Sequence, residues 1–282
     1  MKITLSAPAK INLTLGITGI REDGYHLLES IMQGVSLSDT VSVEDIPQGI
    51  LISCNKSHIP TNEKNLCYKA AKRYLDAAGM EGGVKIQLIK CIPDGAGMGG
   101  GSSDAAAVLK AMHTLYPADV DLIKIAASIG ADVPFFLEGG TVLCSGIGEI
   151  LEPFPLPQKS ALFCVVTKPA EGLSTPEIYR LYDESRVPFA KPLTSDMRKK
   201  LASGDLSVLF EAMQNDLELP AISVLPEIAA RKATLLSLGA DSAMMTGSGS
   251  AVFGLFINEE KARNCHKALV EKGQESYFCT LL

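Results

Sequence analysis

From residue 3 to residue 17 the odd positions Ile3, Leu5, Ala7, Ala9, Ile11, Leu13, Leu15 and Ile17 are all apolar, and most even positions are polar. A period of two belongs to a strand with one face on the core. Lys10, Asn12 and Thr14 are therefore expected together on the opposite, wetted face. Asp23-Gly24 signals a turn that presents Tyr25 and His26. Residues 41–53 and 84–89 read as further strands, and Leu66, Ala70, Arg73 and Tyr74 are spaced along a helix over 65–78. Residues 93–103, PDGAGMGGGSS, are too glycine-dense for either. Behind them Ala105, Val108, Leu109, Met112 and Tyr116 recur at helical spacing, with Ser102, Ser103 or Asp104 as the N-cap. Leu122, Ile125, Ala126 and Ile129 predict a helix over 121–129 closed by Gly130. Residues 135–137 and 141–144 are expected as paired strands.

Pro153, Pro155 and Pro157 form the most proline-rich spot, which sets the expected domain boundary: one domain over 1–155 and another over 156–282. A chain of 282 residues is long for one domain, so two are expected on length as well. The second half reads as a strand at 161–167 and helices at 175–182, 206–215 and 226–238. A small-residue segment over 243–256 turns into an apolar strand, and a helix follows at 259–272. The mixture predicts an α+β protein.

Composition narrows the function. Hydrophobic residues make up 46% and charged residues 21% of the chain, enough to fill a core and to exclude disorder. A formal charge of -6 excludes a sequence-independent nucleic-acid binder. Any anionic ligand must therefore be held by local features. Seven cysteines, an odd number with no CxxC pair, point to reduced thiols rather than a disulfide framework or zinc site. Lys10 interrupts any signal-peptide core, and no uncharged apolar stretch approaches the roughly 18 to 20 residues that cross a bilayer. A soluble cytoplasmic protein without a membrane partner is expected.

The glycine-dense segment carries the candidate chemistry. Glycines let backbone N–H groups turn toward an anion without steric penalty, and a following helix adds its positive end. A tight or flexible turn is the plain alternative. Gly95, Gly97 and Gly100 satisfy GxGxxG, with Asp119 or Asp121 about 20 residues further on, as in a dinucleotide fingerprint. The preceding VKIQLIK alternates, however, whereas the first strand of a dinucleotide-binding sheet lies mid-sheet and is apolar throughout. The P-loop pattern also fails, because Gly101 stands where its lysine is required. Positive charge for a triphosphate must then come from Mg²⁺ or from a lysine distant in sequence, and Lys10 is a candidate.

The segment PDGAGMGGGSSDA resembles the P-x-x-G-L-G-S-S-A-A motif of the GHMP kinases, with Met98 replacing a leucine of similar volume. APAKINL at 7–13, REDGYH at 21–26, IGADVPFF at 129–136 and TGSGSAVF at 246–253 occur in the family's order over nearly the whole chain. They are similar to the branch that phosphorylates 4-diphosphocytidyl-2-C-methyl-D-erythritol. The resemblance implies an α+β GHMP kinase fold, with an N-terminal ribosomal-protein-S5-domain-2-like half and a C-terminal ferredoxin-like half. It implies ATP and Mg²⁺ as cofactors, that small molecule as substrate, no nucleic-acid partner, and a monomer or homodimer. The implied reaction moves the ATP γ-phosphate to the C2 hydroxyl in isoprenoid precursor synthesis.

Residue by residue, the resemblance makes Asp132 the group that accepts or orients the hydroxyl proton, and Lys10 the cation that stabilises the transferred phosphoryl. Without it, Asp132 is equally a cap after Gly130, and Lys10 an exposed lysine. Pro93, Asp94, Gly95, Ala96, Gly97, Met98, Gly99, Gly100, Gly101, Ser102 and Ser103 would hold ATP. Asn12, Tyr25, His26, Thr175 and Tyr179 would hold the substrate, Tyr25 and His26 at the cytosine, with His26 stacked on the ring and Tyr179 covering its opposite face. Core burial is the ordinary alternative for the two tyrosines. No side chain is assigned as a metal ligand. The rival readings are a GHMP kinase for homoserine or mevalonate, a protein of this fold that binds without catalysis, and a nucleotide-cofactor oxidoreductase.

Overall fold

The N-terminal alternation gives a strand, β1 (Lys2–Asn12), which stops before the pattern does. β2 (Gly16–Ile20) follows, then the Asp23-Gly24 turn, with Gly24 at φ +87°, and the long β3 (His26–Ile46). The first half of β3 was not expected, because Ser30 and Gln33 are buried there and erase the period of two. The structure, a computed structural model, describes residues 1–154, 156–157, 161–185, 188–190 and 195–282, without the side chains of 195–197. The boundary expected at residue 155 lies outside them.

Local chemistry explains most of the next elements. β4 (Gly49–Cys54) leads to α1 (Leu66–Ala78), whose N-cap Asn65 accepts from the Cys67 N–H and whose end is set by left-handed Gly79. β5 (Gly83–Ile89) precedes the glycine-dense segment, and α2 (Gly100–Leu115) follows it. Asp121 caps α3 (Leu122–Ile129) by accepting from Lys124 N–H at 2.9 Å. Residues 135–137 are not a strand but part of α4 (Val133–Glu138). Pro134 in its first turn is preorganised for a helix, and Gly139 at φ +75° ends it. β6 (Thr141–Ser145) consequently pairs elsewhere, with β3 and with β7 (Ile150–Pro153).

The remaining elements are β8 (Phe163–Thr167), α5 (Thr175–Ser185), α6 (Ser195–Ser203), α7 (Leu206–Ala212), α8 (Glu218–Val224), α9 (Glu227–Ser237), β9 (Ser242–Met245), β10 (Val252–Phe256), α10 (Glu259–Glu271) and β11 (Ser276–Thr280). The class is α+β.

The chain forms two units. The first comprises Met1–Ala9, Ser38–Ile92 and Gly99–Gly139. In it β5 pairs antiparallel with β3, Val41 opposite Leu88 and Val43 opposite Ile86, and parallel with β4. Helix α1 packs on α2, with Ala70, Tyr74, Leu109 and Met112 buried. The second comprises Lys10–Leu37, Pro93–Met98 and Gly140–Leu282. Its antiparallel sheet has the order β11-β8-β10-β9, which with α9 and α10 packed on it is the β-α-β-β-α-β ferredoxin-like arrangement. Val165, Val252 and Phe256 from the sheet meet Ile178 and Tyr182 of α5, Ile228 and Leu235 of α9, and Leu269 of α10 in one core.

Candidate active site

Within the second unit, residues 93–98 and the late segment 246–250 lie backbone against backbone. Ser250 N–H donates to Gly95 C=O and Ala251 N–H to Ala96 C=O, both at 3.3 Å. A Cβ on Gly97 would stand 2.3 Å from the Thr246 carbonyl oxygen, and one on Gly247 2.8 Å from the Gly97 carbonyl oxygen. Glycine is thus needed on both sides. Gly95, Gly97 and Gly99 all have φ between +60° and +72°, alternating with Ala96 and Met98, whose side chains are buried. Such alternation turns successive N–H groups to one side, the geometry of an anion nest.

The helix begins earlier than expected. Gly99 is the N-cap of α2 and offers no side-chain cap, so Ser102, Ser103 and Asp104 are inside the helix rather than ahead of it. Glycine permits the early start: a Cβ on Gly100 would press on Ile92 and on Lys90 Nζ at 3.2 and 3.3 Å. The first intrahelical bond runs from Ser103 N–H to Gly99 C=O at 2.9 Å. The N–H groups of Gly100, Gly101 and Ser102 precede it and point out of the helix start. Ser103 Oγ is buried with no hydrogen-bond partner among the described residues. This donor set fits phosphate oxygens.

Beneath that first turn, in the first unit, lies a charged cluster that the sequence pattern did not reveal. Lys90 Nζ pairs with Asp39 and, at 2.6 Å, with Asp104, and all three are buried. Asp39 Oδ1 accepts from the N–H groups of Cys91 and Ile92 at 2.5 and 2.8 Å. Burial pushes the Asp104 carboxyl up to about 7 against the opposing pull of the Lys90 ammonium.

Lys10 and Asn12 are not on a wetted face. They are 4% and 3% exposed, and Lys10 N–H donates to Met98 C=O at 3.0 Å, which ties β1 to the glycine segment. Lys10 Nζ donates to Asn12 Oδ1 at 2.6 Å, and Asn12 N–H to Thr246 Oγ1 at 3.0 Å. The second unit therefore brings Lys10, Asn12, the 93–98 segment and Thr246 together. Asp132 belongs to the first unit with residues 99–103. It occupies the N-cap position of α4, yet its side chain makes no capping hydrogen bond. Phe135 and Phe136, edge to face at 4.9 Å, bury this short helix. Each such ring contributes roughly 2 to 3 kcal/mol to anchoring it.

Tyr25 is 59% exposed, with the Arg21 guanidinium 5.4 Å from its ring centroid, so it is not a core aromatic. His26 and Tyr179 rings touch, 4.8 Å between centroids and 39° apart. A sandwich around a third ring would need about 7 Å, so here the two make one wall. His26 Nε2 lies 2.7 Å from Asp183 Oδ1. Thr175, at the start of α5, shares a 2.7 Å hydrogen bond with Ser248 of the late segment.

Comparison with known proteins decides the family. Residues 65–140 match the model for the GHMP kinases N terminal domain, and residues 197–275 that for GHMP kinases C terminal. A 4-diphosphocytidyl-2-C-methyl-D-erythritol kinase of Clostridium novyi is 43% identical over 96% of this chain and 97% of that protein. The Clostridium botulinum protein of the same name is 41% identical over 96% of each. A crystal structure of 4-(cytidine 5'-diphospho)-2C-methyl-D-erythritol kinase superposes with a TM-score of 0.84 at 40% identity, covering 99% of both chains. The chain belongs to the 4-diphosphocytidyl-2-C-methyl-D-erythritol kinase family of GHMP kinases. Homoserine kinase from Cytophaga hutchinsonii, at 22% identity and a TM-score of 0.77, shares the fold. As a GHMP kinase the chain uses ATP, which the donor-rich start of α2 suits. No helix among the described residues is long and apolar enough to cross a membrane.

Sequence reasoning missed Asp183, which meets His26. Asp183 is one turn beyond Tyr179, so helical spacing could have found it.

Proposed function

We infer that the protein transfers the γ-phosphoryl group of Mg-ATP to the C2 hydroxyl of 4-diphosphocytidyl-2-C-methyl-D-erythritol, giving the 2-phosphate and ADP, in the cytoplasm, as a step of non-mevalonate isoprenoid precursor synthesis. The observation that carries this reading is the full-length similarity to a solved kinase of that name, with the family motifs intact at Lys10, residues 93–103 and Asp132. In the reaction the C2 oxygen attacks the γ-phosphorus in line, the P–O bond to ADP breaks, and the hydroxyl proton passes to or is oriented by Asp132. Lys10 supplies a fixed ammonium for charge developing on the phosphoryl oxygens. Residues 93–103 hold the ATP phosphates by backbone N–H groups and the Ser102 and Ser103 hydroxyls. Mg²⁺ neutralises phosphate charge when bound.

On the acceptor side Tyr25, with the wall of His26 and Tyr179, faces the cytosine. Asn12 and Thr175 hold the rest of the molecule. Purified protein incubated with Mg-ATP and, separately, the cytidylyl-erythritol, homoserine and mevalonate should release ADP with the first alone. ADP release only with homoserine or mevalonate would overturn the assignment.

A further inference from the structure

The 246–250 segment touches the glycine loop and reaches Lys10 through Asn12, so whatever fixes that segment fixes both. Asn215 lies in the link between α7 and α8, and a parallel bridge holds its backbone to Leu15: Leu15 N–H donates to Gln214 C=O at 2.7 Å, and Asp216 N–H to Leu15 C=O at 2.9 Å. Asp216 Oδ2 also accepts from Ile17 N–H at 2.8 Å. The link is thereby pinned just beyond the strand that carries Lys10 and Asn12.

The side chain spends both its donors on this region. Asn215 Nδ2 donates to Met245 C=O and to Gly247 C=O, both at 2.9 Å, clamping the backbone on either side of Thr246. Its Oδ1 accepts from Leu217 N–H at 3.0 Å. Two carbonyls on one side and an N–H on the other admit only this orientation of the amide. Closing the turn onto Leu217 N–H alone needs an acceptor, which serine or aspartate supplies as well. The two donated bonds are what require asparagine. Thr246, so held, accepts from Asn12 N–H at 3.0 Å and approaches Asn12 Oδ1 at 3.3 Å, the atom that receives Lys10 Nζ at 2.6 Å. Its carbonyl faces the Cα of Gly97.

We propose that Asn215 is a positioning residue for phosphoryl transfer, setting the Thr246 hydroxyl and, through Asn12, the Lys10 ammonium. The proposal rests on the phosphotransfer reading above, and the two fail differently. Wild-type protein without activity on the cytidylyl-erythritol sinks that reading, whereas active wild type with an indifferent Asn215 variant sinks only the proposal.

Asn215→Ser keeps an acceptor for Leu217 and loses the amide that donates to the Met245 and Gly247 carbonyls. With Mg-ATP and the cytidylyl-erythritol, kcat per folded molecule should fall about 10- to 100-fold, the loss expected when a reacting group is displaced by an ångström or less. The KM for the cytidylyl-erythritol should change little. Thr246→Val cuts the same chain one link later, so the double variant should be no slower than Thr246→Val alone. A purely structural residue would instead lower Tm and leave kcat per folded molecule intact. Asn215→Asp, which also keeps the acceptor, serves if the serine variant does not melt cooperatively. Near-normal kcat in either folded variant, or losses that multiply with Thr246→Val, overturns the proposal. So does failure of both variants to fold, since Asn215 would then be a structural residue.

Discussion

Gly97 shows what one residue contributes. Its φ of +71° lies where a side chain is strained, and the Thr246 carbonyl oxygen occupies the place of a Cβ at 2.3 Å. Gly97→Ala should therefore cost at least about 2 kcal/mol, from the left-handed strain and the backbone clash together. A urea melt reads that loss, and the KM for ATP should rise with it. A variant as stable as wild type, with unaltered KM, would mean that the two segments part freely. The sequence displayed this glycine in a recognisable loop but not the carbonyl opposite it, 149 residues away (246 − 97). Lys10 and Asn12 teach the same lesson in reverse. Alternation put them on one face, but their burial comes from segments that no local pattern announces.

At the scale of elements, legibility followed local chemistry. Helices α1 and α3 were readable because their apolar residues recur at helical spacing, and in the fold Asn65, Gly79 and Asp121 set their ends. Helix α4 was not, since four apolar residues around a proline fit a strand as well as a helix. The start of α2 was placed late because serine and aspartate are ordinary caps and glycine is a poor helix former. In the fold Gly100 lies where a Cβ would press on Ile92 at 3.2 Å and on Lys90 Nζ at 3.3 Å.

Buried charge under that helix start has a consequence for pH. An Asp104 carboxyl raised from 3.8 to about 7 keeps its proton in the folded chain where the unfolded chain has lost it. Its contribution to stability is therefore fully present below about 3.8 and is lost as pH rises through about 7, by at most about 1.4 kcal/mol per pH unit. Asp104→Asn, neutral at every pH, should flatten the fall in unfolding free energy between pH 5 and pH 8 in urea melts. An unchanged slope would show that Lys90 keeps Asp104 ionised throughout.

For the whole molecule, the α+β class followed from the mixture of elements and the ferredoxin-like half from the family resemblance, while strand order within each sheet followed from neither. β11 and the first half of β3 went unseen because pairing between distant segments, not local periodicity, makes them strands. The motifs at Lys10, residues 93–103 and Asp132 were readable one by one, and their assignment to chemistry rests on the family. Binding and turnover can be separated in the intact chain to test it. Saturating Mg-ATP at about 100 times Kd should stabilise the native protein by about 2.7 kcal/mol, seen as a higher Tm. Asp132→Asn should keep that rise, because residues 93–103 and Lys10 are untouched, and should lose about 10²- to 10⁴-fold in turnover, the range for a positioned general base. If the variant loses the nucleotide-dependent rise together with turnover, Asp132 serves ATP binding or folding. If it keeps both, the proton goes elsewhere.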